Sequence, residues 1–424
     1  MAVTSHYLVS PHCFYPEQDQ ELRNEADINN MSGISNTSRH FHFPWREGNC
    51  FDILADGANF LPHMLDAINS ARQTILLEMY LIESGSVVDR FINAIQNAAE
   101  RGVRAFLLLD DYGAIGLKQR DRERLDHKNI RVVYYNRLRS HSTLYNLYRI
   151  FLLHKEHSLY RNHRKLLLID GQTAFVGGTG LIDEFDPPDH PELQWRETML
   201  KIQGPVVADW QQLFTSTWNN STLQTLSLPA IKPGELADTQ RGRITVNEIE
   251  RYSEVLLSLS KQISHAKQRV WFATAYFVPS WRIRRALKRA ARTGVDVRLL
   301  LPGPITDHTG VRYISHRLYG RLMKNGVRIF EYQPRFFHAK SVLCDDWVAI
   351  GSSNFDRWSL RWNLEANQEV INKALARQVK EMFEQDFSNS VEYTLEKWQQ
   401  MSWFKRLLQW FWKRVEVFSQ KIGR

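Results

Sequence analysis

The sequence predicts an α/β protein made of two copies of one unit, and three observations carry this reading. The pattern His-x-Lys-x4-Asp occurs twice, as His163, Lys165 and Asp170 in HRKLLLID and as His338, Lys340 and Asp345 in HAKSVLCD. Each copy runs through an apolar stretch into small residues, Gly177-Gly178-Thr179 and Gly351-Ser352-Ser353-Asn354. Upstream of each lies the same succession of apolar run, amphipathic helix pattern and second apolar run. It reads ILLEMYLI, FINAIQNAAERG and VRAFLLLD in the first half, and VWFATAYFV, RIRRALKRAARTG and VDVRLLLP in the second. Gly102 and Gly294 hold matching places just past the helix, where glycine takes a left-handed conformation at no steric cost. The unit is therefore β-α-β followed by a hairpin, and 424 residues suffice for two such domains.

Within each motif, residues two apart share a face of a strand, so His and Lys look the same way. LLLI and SVLC are apolar and partly β-branched, as buried strands require. Gly171-Gln172 and Asp345-Asp346 read as hairpin turns, followed by return strands TAFVGG and WVAIGS. The turn after Asp345 is one residue shorter than its counterpart, which leaves the register of that hairpin open. Residues 1–42 read as a polar, loosely ordered extension and 43–225 as the first domain. A linker over 226–243 contains Pro229, Pro233 and Gly234, and the second domain covers 244–397. Each domain is expected to be an α/β sandwich, a mixed sheet flanked by helices, with the site at the seam between domains. The Arg-, His- and Tyr-rich stretch Arg137 to Asn162 reads either as a lid or rim beside the pocket or as a helix packed on its domain.

Two imidazoles and two ammonium groups suit transfer at phosphorus. A neutral imidazole attacks and forms a covalent intermediate, while the second protonates the leaving alcohol and deprotonates the incoming one. Lysines neutralise the non-bridging oxygens, so the chemistry calls for no metal and no cofactor. His40 and His42 lack acidic or cysteine companions and read as surface loop.

At these residues the chain resembles the phospholipase D superfamily, and within it the bacterial cardiolipin synthases of the shorter type without N-terminal membrane spans. The likeness runs from about Phe43 to about Phe387. It includes WREGN from Trp45 to Asn49, Leu109-Asp110 after the helix ending in Arg101-Gly102-Val103, and GSSNFDRWSLRWNLEAN over 351–367. The resemblance implies that one of His163 and His338 is the nucleophile, with His163 favoured, and the other the acid/base. It implies that Lys165, Lys340 and Asn354 hold the phosphate, with Ser352 beside them, and that Glu197 and Glu365 orient the histidines. Asp170 and Asp345 complete the catalytic motif but look like structural hydrogen-bonding groups. Where the family has Asn, this chain has Gly180, and Thr179 or a freed backbone N–H is expected to substitute.

The net charge of +9 implies an anionic partner, lipid surface or nucleic acid. Three cysteines, Cys13, Cys50 and Cys344, are odd in number and far apart, which argues against a disulfide framework and for a reducing compartment. The start MAVTSHYLVS lacks the basic and apolar regions of a secretory signal. No apolar run reaches the roughly eighteen residues needed to span a bilayer. At the C-terminus (398–424), helical spacing gathers Phe404, Leu407, Leu408 and Phe411 on one side, with Trp403, Trp410 and Trp412 toward the flanks and Lys405, Arg406 and Lys413 opposite. That layout suits a helix lying in a membrane interface.

The expectation is a peripheral enzyme on the cytoplasmic face of the cell membrane that makes cardiolipin, with phosphatidylglycerol as donor and acceptor. Nucleic acid is not an expected substrate, and no obligate protein partner is implied. The alternatives are a hydrolase of the same superfamily, acting on lipid or nucleic acid, and a non-catalytic lipid-binding relative.

Overall fold

The structure, a computed structural model, describes residues 41–138, 160–231, 240–248, 252–356, 359–403, 406–412 and 414. By its contacts the chain divides into Met1–Phe41 and His42–Arg424. Both repeats lie in the second unit. The predicted N-terminal extension, most of the lid stretch, the middle of the linker and the end of the C-terminal helix lie outside the described residues.

The first half contributes β1 (Arg46–Ala55), β2 (Thr74–Met79), β3 (Arg104–Asp110), β4 (Ile130–Tyr135), β5 (Arg161–Asn162), β6 (Leu166–Ile169), β7 (Thr173–Gly177) and β8 (Thr198–Gln203). The second contributes β9 (Gln240–Glu248), β10 (Tyr252–Ser253), β11 (Arg269–Ala273), β12 (Asp296–Pro302), β13 (Arg328–Tyr332), β14 (Ser341–Cys344), β15 (Trp347–Gly351), β16 (Asn363–Ile371) and β17 (Ser390–Glu392). The first sheet runs β4-β3-β2-β6-β7-β8-β1, with β2, β3 and β4 parallel and the rest antiparallel. The second runs β17-β13-β12-β11-β14-β15-β16-β9 with the same parallel trio, β11, β12 and β13. Strand β1 pairs with β9 at Arg46 and Asn49, then with β8 from Cys50 onward, so it belongs to both sheets.

Strands buried on both faces explain the continuous apolar runs. In the first half Ile75, Leu77 and Leu107 meet Phe60, Met64, Phe91 and Ile95 from the helices Gly57–Ser70 and Ser86–Glu100. Leu76, Leu108 and Leu168, on the other face, are buried too. In the second half Phe272, Leu299 and Leu301 pack on Ile283 and Leu287 of the helix Trp281–Arg292. The helix termini fall where expected, with Gly102 at φ 92° and Gly294 at φ 89°.

The two hairpins differ as the sequence predicts. Ile169 pairs with Thr173 across a three-residue turn, whereas Cys344 pairs with Trp347 across a two-residue turn. Asp170 and Asp345 take left-handed backbones at φ 53° and 52°. Asp170 accepts the backbone N–H groups of Arg72, Gln73 and Thr74 at 2.8, 2.7 and 2.8 Å. Asp345 accepts those of Lys267, Gln268 and Arg269 at 2.7, 2.9 and 2.9 Å. Each aspartate thus ties its hairpin to the start of a parallel strand, at the end of β6 or β14 opposite the histidine. That position suits the structural hydrogen-bonding role expected of them.

Candidate active site

His163 and His338 precede β6 and β14, at the ends of β2 and β11 where the parallel strands finish. Each is gripped by the opposite half of the chain. His163 N–H donates to Leu364 O (3.0 Å), and Nδ1 faces both Glu365 oxygens at 2.9 and 3.1 Å. His338 N–H donates to Arg196 O (2.8 Å), and Nδ1 faces Glu197 Oε2 at 2.6 Å. A carboxylate on Nδ1 places the ring proton there and leaves the Nε2 lone pair free for chemistry. The halves are locked at the same level. Asn363 and Leu364 of β16 pair in parallel with Arg161 and Asn162 of β5, and Arg196 forms a buried bidentate ion pair with Asp386 at 3.0 and 2.8 Å.

The lysines are buried beside the rings. Lys340 Nζ lies 3.0 and 3.2 Å from the two ring nitrogens of His338 and 3.4 Å from Glu197 Oε2, and it also donates to the His338 carbonyl. Lys165 Nζ donates to His163 O (2.6 Å) and lies 5.0 Å from the centre of the Tyr80 ring. Tyr80 in turn meets His163 edge-on at 4.7 Å.

Burial pushes Lys165 down to about 7, against the pull of Glu365 and with repulsion from Lys340. Burial also lowers Lys340, opposed by Glu197. His338 falls to about 4 through burial and the adjacent Lys340. His163 is lowered by burial, a drop that Glu365 opposes. Burial alone would raise Glu197, but Lys340 and His338 hold it below the usual range. Lys340 acts on both His163 and Lys165, so the two motifs share one electrostatic environment. These shifts favour the neutral form of both imidazoles, with two buried lysines beside them as a cradle suited to a phosphodiester anion.

Of the remaining predicted groups, Asn354 is buried and its Oδ1, an acceptor, has no hydrogen-bond partner in the described protein; only its Nδ2 could donate to a phosphate oxygen. Ser352 differs from expectation. Its hydroxyl donates to Glu365 Oε2, so it braces the carboxylate behind His163. Thr179 is fully buried and its hydroxyl donates to Gly180 O (2.9 Å), which removes that proton from phosphate binding. A Cβ at Gly180 would lie 2.9 Å from Leu81 O, so an asparagine there requires the backbone to shift.

Similarity to known proteins gives the family. The family model described as "Cardiolipin synthase, PLD-like domain" matches residues 64–218 and again 259–387. Cardiolipin synthase A of Pseudomonas aeruginosa (strain LESB58) is 32% identical over 381 residues, covering 89% of this chain and 75% of that protein. The chain belongs to the cardiolipin synthase family of phospholipase D-like enzymes. Cardiolipin synthase B of Salmonella typhimurium is 32% identical, covering 76% of each chain. The major cardiolipin synthase of Bacillus subtilis is 28% identical over 90% of this chain and 77% of its own. Among solved structures, phosphatidylserine synthase from Haemophilus influenzae shares the fold with a TM-score of 0.63 at 11% identity, covering 87% of this chain and 93% of that one.

Other groups around the site of this cardiolipin synthase relative carry no sequence pattern that marks them. Asn162, just before His163, donates to Glu78 Oε1 (2.7 Å) and through its backbone to Asp110 Oδ2 (2.8 Å). Burial pushes Asp110 up to about 6 despite Arg161. Trp195 and Phe336 pack on His338 at 5.3 and 5.7 Å. All read in sequence as ordinary strand and core residues; only the Leu109-Asp110 likeness singled one out.

The C-terminal segment is helical over 406–412. Trp403, Leu407, Trp410 and Phe411 are 74, 49, 54 and 52% exposed. Leu408 is half-buried, Gln409 is buried, and the Trp412 ring occupies the space where a Cβ on Gly310 would stand. The outward apolar face is therefore narrower than the spacing predicts, because the Trp412 ring packs at Gly310. Phe404 lies outside the described residues.

Proposed function

We propose that this protein is a cardiolipin synthase-type phosphatidyltransferase that works through a phosphohistidine. The observation that carries the reading is the reciprocal grip on two imidazoles, each oriented by a glutamate from the other half. His163 Nε2 attacks the phosphorus of a bound phosphatidylglycerol while Lys165, Lys340 and Asn354 hold the non-bridging oxygens. Binding of that anion raises the proton affinity of His338, which protonates the leaving glycerol oxygen. A second phosphatidylglycerol then enters; His338 takes the proton of its glycerol hydroxyl as that oxygen displaces His163 from phosphorus.

The surroundings of the carboxylates support His163 as nucleophile. The phosphohistidine ring is cationic. Glu365 takes hydrogen bonds from the neutral donors Ser352 and Asn363 and acts on Lys165 only electrostatically, whereas Glu197 lies 3.4 Å from the Lys340 ammonium, so more of the Glu365 charge is left to that ring.

The substrate reading extends to an anionic bilayer. Exposed Trp403, Leu407, Trp410 and Phe411, with exposed Arg406 and Arg414 alongside, suit an interfacial contact. No helix among the described residues is long and apolar enough to cross a membrane. Peripheral attachment at the cytoplasmic face follows as the proposed location. Purified protein given phosphatidylglycerol vesicles should release glycerol and cardiolipin in equal amounts and co-sediment with the vesicles. Phosphatidic acid as the main product would make it a hydrolase. Sedimentation unchanged by Trp410→Glu with Phe411→Glu would remove the helix from membrane binding.

A further inference from the structure

The catalytic groups of the two halves match, but their surroundings do not. Tyr276 lies beside His338 with ring centres 6.5 Å apart, and its hydroxyl donates to Asp307 Oδ2. His308 stacks against Tyr276 at 5.5 Å and is 65% exposed; the Asp307 side chain is 23% exposed. Asp307 also acts electrostatically on both His338 and Lys340. The first half builds something different. Counted from the paired strands, Leu81 stands where Tyr276 does. The loop after β3 exposes Tyr112 and Ile115 (53 and 48%), where the loop after β12 carries Asp307 and His308.

A carboxylate beside a cationic phosphate cradle does not assist the phosphate; it repels it. What it does hold well is a hydroxyl. An ionised carboxylate accepts several hydrogen bonds at once, and polyols carry the donors. Burial, reinforced by Asp307, pushes the Tyr276 phenol up, so it stays protonated and keeps one Asp307 oxygen in place.

Resting on the transferase reading above, we infer that Asp307, set by Tyr276 and flanked by His308, is the subsite for the vicinal hydroxyls of the glycerol headgroup, on the His338 side of the phosphorus. The location agrees with the chemistry. The alcohol that leaves takes its proton from His338, and the alcohol that enters gives its proton to His338 Nε2. In that entering step the alcohol oxygen bonds to phosphorus and the P–N bond to His163 breaks. Both alcohols therefore pass the face that Asp307 lines.

The test is partitioning of the intermediate. Full-length protein on phosphatidylglycerol vesicles is offered isotope-labelled glycerol and 1-propanol at equal concentration, and labelled phosphatidylglycerol is measured against phosphatidylpropanol. Because both alcohols compete for one intermediate, the ratio does not depend on total turnover or on the folded fraction. The wild type should favour glycerol. Asp307→Asn and Tyr276→Phe should each lower that preference, Asp307→Asn by about tenfold, as loss of a hydrogen bond to a charged group would. A wild type without preference, or a ratio unmoved in both variants, overturns the subsite while leaving the transferase reading intact. A wild type that transfers to neither alcohol overturns the subsite, and one that also makes no cardiolipin from the vesicles overturns both.

Discussion

The His163 and His338 sites are built from the same parts and differ in what holds the carboxylate. Behind His163, Glu365 receives hydrogen bonds from Ser352 and Asn363, both neutral. Behind His338, Glu197 receives a backbone N–H from Thr198 and lies 3.4 Å from the ammonium of Lys340. At the position matching Ser352 the first half has Gly178, and a Cβ there would sit 2.4 Å from Glu197 Oε2. The duplication thus preserved the reacting atoms and let their supports diverge. Two imidazoles in different surroundings are what a reaction with one nucleophile and one acid/base requires.

The largest effects should come from exchanging the histidines. His163→Ala and His338→Ala should each lower turnover by about 10⁴-fold or more. They should part company in a trapping experiment: His338→Ala accumulates a phosphatidyl adduct on His163, and His163→Ala forms none. An adduct on His338 instead would reverse the assignment.

A smaller effect, on the order of tenfold per pH unit, concerns Lys165. With its pKa down at about 7 in the free enzyme, it carries its charge below that pH and loses it above. Attraction for the phosphate therefore weakens on the alkaline side, and kcat/KM should fall as pH rises through about 7. Lys165→Arg keeps the charge, so the alkaline limb should move upward in pH; a limb that stays in place assigns it to another group.

The smallest effect separates the motif's aspartates from its histidines. Asp170→Ala should cost about 2 kcal/mol of stability, measured by denaturant unfolding, because three backbone N–H groups lose a charged acceptor. Its kcat/KM, corrected for folded protein, should stay within a few-fold. A loss approaching that of His163→Ala would return Asp170 to the catalytic set.

Most of the fold was legible because its signals are local. The apolar runs mark strands buried on both faces, Gly102 and Gly294 mark helix ends, and the hairpin turns follow from Asp170-Gly171-Gln172 and Asp345-Asp346. The histidines and lysines were legible through repetition. The bond from Ser352 to Glu365 was not legible, because a hydroxyl in a small-residue turn has the same spelling whether it faces a ligand or the glutamate on the next strand. Tyr276 looked like one aromatic in an apolar strand; only the fold brings Asp307, on another loop, to its hydroxyl. The C-terminal stripe was ambiguous for a related reason. A short helix with apolar residues on several sides does not reveal which side touches its own body, and here Gly310 makes room for Trp412.

Strand β1 begins in one sheet and ends in the other. A shared strand acts as a seam stitched through both halves, and opening them like a clamshell would tear ladder hydrogen bonds on one side or the other. Traffic through the site therefore passes the loops at the ends of the parallel strands rather than a gap opened between the halves.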